Sequence, residues 1–301
     1  MKLAKPFLKW AGGKTQLLND IDNNLPEEVK NNAIVNYYEP FLGSAAVFLF
    51  LKQKYEIKNA YLSDINSNLI STFQVVQKHI SSLIKELKSI DKEFKVKNND
   101  QRKVYFNNKR DEFNNLLLDG IQKNKQSLIR RAALTIFLNR TCFNGLYRVN
   151  RSGQFNVPFG RYENPRILDE ENLIAVSVML RDVALEVRDF KTLPEIVKKN
   201  SFIYYDPPYS PLNKTSNFTS YSEFEFSLDE QEELAKVYTL LDKKGIKQLL
   251  SNADLKNHNS QNDFHDNLYG QFIIKRILAS RLINSKAANR GKISEILVRN
   301  Y

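Results

Sequence analysis

A chain of 301 residues with 42% hydrophobic content can fill a sizeable core, which excludes a disordered polypeptide and fits one large domain or a domain carrying an insertion. Lys and Arg outnumber Asp and Glu by 45 to 34, a net charge of +11 and an isoelectric point near 9.4, so a polyanionic partner is favoured, although many lysines sit in Asn/Lys-rich stretches. Cys142 is the single cysteine, which excludes an internal disulfide, and the scattered His79, His258 and His265 lack metal-ligand spacing, so no metal site is expected. With no signal peptide and no apolar run of membrane-spanning length, the expected location is the cytoplasm.

The N-terminal run Pro6-Phe7-Leu8-Lys9-Trp10-Ala11-Gly12-Gly13-Lys14-Thr15 invites comparison with a phosphate-binding P-loop. The comparison fails, because that pattern needs a glycine where Leu8 stands and an apolar strand ahead of it. A close-approach loop fits better: Gly12 and Gly13 let the backbone near a ligand, Trp10 packs or stacks, and Lys14 supplies a cation. A plain capping turn before a helix starting near Thr15 fits the local residues equally. Ala33 to Pro40 then predicts a strand, followed by the small-residue turn Phe41-Leu42-Gly43-Ser44-Ala45-Ala46 and an apolar helix over Val47 to Leu51. Strand, turn and helix form a dinucleotide-type fingerprint, in which N–H groups at the helix start face a ligand. A second strand, Asn59 to Ser63, ends in Asp64, twenty-one residues after Gly43 and close to the spacing at which an acid meets ribose hydroxyls.

From about Ile65 to Gly120 the pattern turns helical, with Ile80, Leu83, Ile84, Leu87 and Ile90 set among Lys and Asn. This is an insertion rather than a βα repeat, and its Lys-rich outer faces read as solvated surface. Leu128 to Arg140 predicts a strongly amphipathic helix. From Asn144 to Tyr162, two alternating arms around Arg151-Ser152-Gly153 predict a hairpin that carries Arg148, Arg151 and Arg161 beside Tyr and Phe. Such a hairpin suits DNA, because guanidinium groups read guanine or phosphate while rings and aliphatic wedges fill the space of a displaced base; a merely solvated hairpin is the competing reading. After Pro165 the α/β rhythm resumes with a helix over Asp169 to Leu180, a strand over Ala184 to Val187, and a helix running to Lys199. Between them Asp189 stands at a strand tip, where it either reaches a nucleobase amino group or caps the helix beginning at Leu193.

Ser201 to Tyr205 predicts a short buried strand that runs into Asp206-Pro207-Pro208-Tyr209, which cannot continue a sheet. The strand therefore presents Asp206 at its tip. Two prolines fix the backbone and remove two N–H donors, leaving stiff carbonyl acceptors beside a carboxylate. A site of this kind wants a donor, and a flat exocyclic amino group fits between the Asp206 carboxylate and the Pro207 carbonyl while the Tyr209 ring stacks on the base. Beyond it, Pro211 to Phe226 reads as a mobile loop over the site, Leu228 to Lys243 as a helix and Ile246 to Leu250 as a strand with Ser251-Asn252-Ala253-Asp254 at its tip. Phe272 to Ala279 and Ile293 to Arg299 read as two closing strands. The basic loop Ser280 to Lys292 between them, with Arg281, Lys286, Arg290 and Lys292, suits phosphate contact.

Six of these pieces occur in the same order as in Dam-type DNA adenine-N6 methyltransferases (the D12 class, alpha group), and the resemblance spans the whole chain: Phe7 to Lys14, Glu39-Pro40-Phe41-Leu42-Gly43, Ser63-Asp64-Ile65-Asn66, the hairpin, Asp206-Pro207-Pro208-Tyr209, and Glu295 to Tyr301. The resemblance implies an α/β fold, a Rossmann-like seven-stranded sheet that binds S-adenosylmethionine across its strand tips, with an inserted helical DNA-recognition domain and β-hairpin. It implies a catalytic domain of residues 1–65 and 166–301 and a target-recognition insertion of residues 66–165. Trp10 and Lys14 would contact the cofactor, Glu39, Pro40, Phe41 and Gly43 would lie against its methionine part, Asp64 would hold its ribose and Asp189 would sit near its adenine. Asp206, Pro207, Pro208 and Tyr209 would hold a flipped adenine, with Asp206 also beside the cofactor. Methyl transfer from a sulfonium is a direct displacement, so the enzyme's work is positioning and electrostatics.

The segments Asn144-Gly145-Leu146-Tyr147-Arg148 and Asn156 to Tyr162 resemble the recognition hairpin of members that methylate GATC. Lys9 and Arg148 would read bases, with Asn144, Leu146, Pro158 and Tyr162 as further DNA contacts. The expected partner is double-stranded DNA, with a functionally paired restriction endonuclease compatible with the resemblance, and the expected state is a monomer or weak dimer. One departure is Ala45, where the family's turn has a second glycine. A related tip also serves RNA and protein-amide methyltransferases, against which the arginine-aromatic hairpin argues; a silent DNA-binding protein and a nucleotide hydrolase are the readings from other classes.

Overall fold

The computed structural model describes residues 3–118, 124–209, 226–257, 259–280 and 292–301. After one 3-10 turn over Lys14–Gln16, the elements run α1 (Leu18–Asn23), α2 (Glu27–Lys30), β1 (Asn36–Glu39), α3 (Ala46–Lys54), β2 (Asn59–Asp64), α4 (Ser67–Lys78), α5 (Ile80–Lys95), α6 (Asn99–Leu118) and α7 (Lys125–Thr141). They continue with α8 (Glu170–Met179), β3 (Ala184–Val187), α9 (Leu193–Ile196), β4 (Ser201–Tyr205), α10 (Leu228–Lys243), β5 (Lys247–Ala253), α11 (Phe264–Tyr269), β6 (Ile273–Ser280) and β7 (Lys292–Arg299).

The strands form one seven-stranded sheet in the order β3-β2-β1-β4-β5-β7-β6. β1 to β5 are parallel, and β7 runs antiparallel between β5 and β6. Parallel strands need cover on both faces, and the sequence supplies it by period-two alternation of large apolar residues. Tyr37, Phe202 and Tyr204 point into the apolar cluster shared with α3, α4 and α7, whereas Tyr38, Ile203 and Tyr205 point into the cluster under α10 and α11. Fully burying each such ring contributes on the order of 1.5–3 kcal/mol. Their hydroxyls are paired rather than stranded: Tyr204 with Ser251 Oγ at 2.7 Å and Tyr205 with Gln248 Oε1 at 2.7 Å. From β1 the chain moves outward to β2 and β3, then returns to β4 beside β1. The order reverses there, and the crevice beyond the carboxyl ends of β1 and β4 is where open α/β sheets bind ligands.

Several expectations need correction. The predicted amphipathic helix is α7, and it is buried on nearly every side from Ile129 to Thr141, because α4, α5 and α6 all pack against it. Ala33 and Ile34 do not open β1; their N–H groups bond to Glu28 O and close the end of α2. The predicted helix to Lys199 is a 3-10 turn, Phe190–Thr192, followed by the four residues of α9. β5 runs on through Ala253, so Ser251 and Asn252 lie within the sheet opposite Leu297 and Ile296 rather than at a tip. The hairpin is looser than two regular arms, with isolated bridges Cys142–Phe159 and Val149–Phe155 and a turn closed by Asn150 N to Gln154 O. Apart from Phe226, Ser280 and Lys292, the loops Pro211–Phe226 and Ser280–Lys292 lie outside the described residues. Among the described residues no helix is long and apolar enough to cross a membrane.

Candidate active site

Asp206 follows the last residue of β4, and the two prolines after it end the strand as their missing N–H groups require. Its carboxylate is not left waiting for a donor. Lys14, only 2% exposed, reaches it from the N-terminal loop with Nζ 2.6 Å from Asp206 Oδ1. The same ammonium donates to Gly12 O at 2.9 Å and Tyr209 Oη at 3.0 Å, and lies 4.9 Å from the centre of the Tyr209 ring. Burial works against the Lys14 charge, but the surrounding anionic groups, Asp206 foremost, hold its pKa well above the ordinary value. Burial likewise pushes the Asp206 carboxyl up, and the Lys14 ammonium opposes that rise. Ser251 Oγ, itself bonded to Tyr204, stands 3.5 Å from Asp206 Oδ1. A buried amide chain, Asn252 to Gln231 to the Pro208 carbonyl, steadies the second proline. Among the described residues no hydrogen bond engages the Pro207 carbonyl.

The turn after β1 closes against the tip of β2. Gly43 N donates to Asp64 Oδ2 at 3.3 Å and Asn66 N to Asp64 Oδ1 at 2.9 Å, so the predicted ribose acid also staples the two strand ends. Burial pushes Asp64 up to about 6, against the pull of those N–H groups. Each carboxylate oxygen retains acceptor capacity beyond one such bond. Gly43 adopts φ 48°, and a Cβ there would stand 3.1 Å from Trp10 Cδ1; the glycine lets the indole cover the turn. Trp10 also stacks on Tyr147 of the hairpin with ring centres 5.2 Å apart. Ala45, where the sequence departs from its family, is fully buried at φ 58°, a left-handed conformation costing on the order of 1–2 kcal/mol without glycine. The methyl group is therefore accommodated by strain at the head of α3.

Glu39, at the end of β1, is buried, accepts from Tyr37 Oη at 2.5 Å, and is pushed up to about 8 by burial, with the Asp206 charge adding to the rise. Phe41 packs on Phe190 and Phe226 at 5.5 and 5.6 Å, while Pro40 lines a groove of about 210 Å³ with Tyr61, Ser63 and Arg188 beside the strand tips. Asp189 caps the 3-10 turn Phe190–Thr192, accepting from Lys191 N at 2.9 Å, and not the helix beginning at Leu193, whose N-cap is Thr192. Asp206 brings a carboxylate to the β1–β4 crevice, and Glu39, neutral below about pH 8, adds a second carboxyl that a cationic ligand would ionise. That chemistry fits a ligand carrying a sulfonium and an ammonium, as S-adenosylmethionine does.

The predicted DNA contacts gather at the root of the hairpin. Lys9 is exposed, with Nζ 4.9 Å from the Tyr162 ring centre. Its backbone is clamped by buried Asn139, which accepts from Lys9 N at 2.8 Å and donates to Lys9 O at 2.8 Å and Gly145 O at 3.0 Å. Asn144 is exposed at φ 55°, Leu146 is half-buried and Pro158 exposed, and Arg148 Nε is held by Asn156 Oδ1 at 2.8 Å. Two residues receive no role from the sequence. Phe143, beside Asn144, is 52% exposed, an unusual posture for a phenylalanine. Glu295, on β7, joins the Lys14 cluster with Oε2 3.9 Å from Nζ, and a lone carboxylate within the apolar run Ile293 to Val298 was its signal. Among the described residues no group of three His, Cys, Asp or Glu could hold a metal ion.

A seven-stranded sheet with this order and a carboxylate-bearing crevice at its switch point defines a Rossmann-like methyltransferase that uses S-adenosylmethionine. The family model for the D12 class N6 adenine-specific DNA methyltransferase matches residues 10–283, and the chain belongs to that family. It is 48% identical over 298 residues to the type II methyltransferase M.MjaIII of Methanocaldococcus jannaschii, covering 99% of each chain. It is 36% identical over 299 residues to the type II methyltransferase M1.LlaDCHI of Lactococcus lactis subsp. cremoris, covering 99% of this chain and 95% of the other. With the DNA adenine methylase of Escherichia coli (strain K12) it shares 33% identity over 297 residues, again 99% and 95% of the two chains.

Proposed function

We propose that this DNA adenine methyltransferase acts at N6 of adenine within GATC in double-stranded DNA, on a base extruded from the helix. The observation that carries the reading is the Asp206 tip, half-buried at the β1–β4 crevice and paired with Lys14 of the N-terminal loop, whose Trp10 meets both the Gly43 turn and Tyr147 of the hairpin. S-adenosylmethionine supplies an electrophilic methyl group when bound. Trp10, Lys14, Glu39, Pro40, Phe41, Gly43, Asp64 and Asp189 hold it, the acidic members offsetting its positive charge. Asp206 and the Pro207 carbonyl accept hydrogen bonds from the amino group and aim its nitrogen; Pro208 stiffens the turn, and Tyr209 packs on the base. The Asp206 carboxylate stabilises charge developing on nitrogen, and the proton is acidic enough to leave only after transfer. Extruding the base costs a few kcal/mol, which Tyr209 stacking and hairpin insertion offset.

Lys9 and Arg148 read bases, with Asn144, Leu146, Pro158 and Tyr162 beside them, and the likeness of this segment to GATC-methylating members supports the site. Exposed Phe143 belongs to the same DNA-facing surface. Residues 1–65 and 166–301 form the catalytic unit and 66–165 the recognition insertion. The enzyme works in the cytoplasm on its DNA as a monomer or weak dimer, and its likeness to proteins named type II methyltransferases supports a paired restriction endonuclease. The test pairs Asp206→Ala with digestion of treated DNA by nucleases that differ in sensitivity to methylated GATC. The variant is expected to lose at least about 10²-fold in turnover while still binding DNA. Wild-type turnover by Asp206→Ala sinks the mechanism, and unchanged digestion patterns with the native enzyme sink the site.

A further inference from the structure

Lys14 has three N–H bonds, and Asp206, Gly12 O and Tyr209 Oη take all three. One of those partners is Asp206 Oδ1, so a target amino group seated on that oxygen competes with the ammonium for it. An ammonium this deeply buried cannot give up its anionic partner without gaining another, because an unpaired buried charge is prohibitive. A second partner is at hand. Glu295 reaches the cluster from β7 with its side chain 10% exposed, its Oε2 has no hydrogen-bond partner among the described residues, and that oxygen is 3.9 Å from Lys14 Nζ. The Tyr209 hydroxyl, which receives a hydrogen bond from Lys14, belongs to the same cluster. A shift of about 1 Å brings the ammonium to charge-assisted hydrogen-bond distance from Glu295.

We infer that Glu295 is a positioning residue that takes over the Lys14 ammonium when the target amino group is seated on Asp206. The inference rests on the reading of Asp206 as the acceptor of that amino group. Without the Glu295 charge, Lys14 has only Asp206 to pair with, and a substrate seated on Oδ1 must break an exclusive ion pair. Glutamine keeps the shape while removing the charge.

Single-turnover methylation of adenine-bearing duplex DNA at saturating cofactor tests this in five proteins: the native chain, Glu295→Gln, Glu295→Asp, Lys14→Met and the Glu295→Gln/Lys14→Met double variant. Glu295→Gln is expected to slow transfer at least tenfold, Glu295→Asp to recover more than threefold of that loss, and Glu295→Gln to change the rate less than threefold once Lys14 is already methionine. A purely structural Glu295, or one acting directly on the substrate, loses equally in both backgrounds, and that result overturns the proposal. So does a Glu295→Gln rate within threefold of native. If Glu295→Gln fails to give native circular dichroism, Glu295→Asp with and without Lys14→Met carries the same test. Native-like turnover by Asp206→Ala, by contrast, refutes the underlying reading of Asp206, whatever Glu295→Gln does.

Discussion

Replacing Asp206 by Asn keeps the side chain's shape and removes its charge, so its effect on stability isolates the ion pair with Lys14. The lysine would retain Gly12 O at 2.9 Å and Tyr209 Oη at 3.0 Å but lose the carboxylate at 2.6 Å, leaving Glu295 at 3.9 Å as the nearest anion. Removing one partner of a buried pair costs about 3–5 kcal/mol, chiefly because the other charge is stranded. Asp206 is itself 21% exposed and Glu295 recovers part of the attraction, so the low end, about 3 kcal/mol, is expected. Urea unfolding followed through the fluorescence of Trp10, the single tryptophan, reads the change in midpoint at constant slope. Adding Lys14→Met removes the stranded charge. Glu295, already pushed upward by burial, then releases its own strain by protonating, and the double variant is expected to regain at least about 1 kcal/mol. A single variant within about 0.5 kcal/mol of native, or a double variant as unstable as the two losses summed, refutes the argument.

Gly145 stands at φ 64° with a built Cβ only 2.2 Å from Lys9 Cδ, so Gly145→Ala adds left-handed strain and drives Lys9 off the Tyr162 ring. DNA titration is expected to show about 10-fold weaker binding with cofactor affinity retained, and a loss below threefold counts against Lys9 as a DNA contact. Glu39 is neutral in the folded chain up to about pH 8, whereas the unfolded carboxyl ionises near 4.5. The folded state therefore holds the extra proton between those values, and this group's contribution to stability is lost as pH rises through that window. Glu39→Gln removes that dependence while still accepting from Tyr37, so its stability relative to native should improve by a few kcal/mol, as an order of magnitude, between pH 5 and pH 8.5 in urea unfolding. A constant or shrinking gap contradicts the burial argument.

The strands and the Asp206 tip were legible because their signals are local. Ser201–Tyr205 and Ala184–Val187 coincide with the expected strands, and Leu228–Lys243 with the expected helix, since apolar runs bounded by Pro, Asp or Gly fix both type and limits. α7 was misjudged for the opposite reason. Arg130, Arg131 and Arg140 suggest a wet face, yet Arg130 is consumed by Glu86 and Glu112, and Arg140 by Phe7 O. Polar residues in that helix are internal partners of a surrounding bundle, and only the tertiary arrangement supplies the partners. Ala45 is another case: its residue type argues against a left-handed φ, and the turn imposes one.

The Lys14–Asp206–Glu295 cluster explains why local reading stopped short of the site's electrostatics. Each member was visible alone, as a glycine-flanked lysine, a strand-tip acid and a carboxylate in an apolar strand. Their chemistry depends on three segments from opposite ends of the chain meeting. β7 lies between β5 and β6, an antiparallel strand in an otherwise parallel half-sheet, and its register sets Glu295 opposite Ala253, at the same end of the sheet as the β4 tip. The N-terminal loop closes over that end because Asn139 and Arg140 bond the backbone of Lys9 and Phe7, fixing Lys14 just beyond. The positive charge that the sequence assigns to cofactor contact is thus committed, in the folded chain, to the acceptor carboxylate. A ligand that takes Asp206 Oδ1 or the Lys14 ammonium rearranges that pairing.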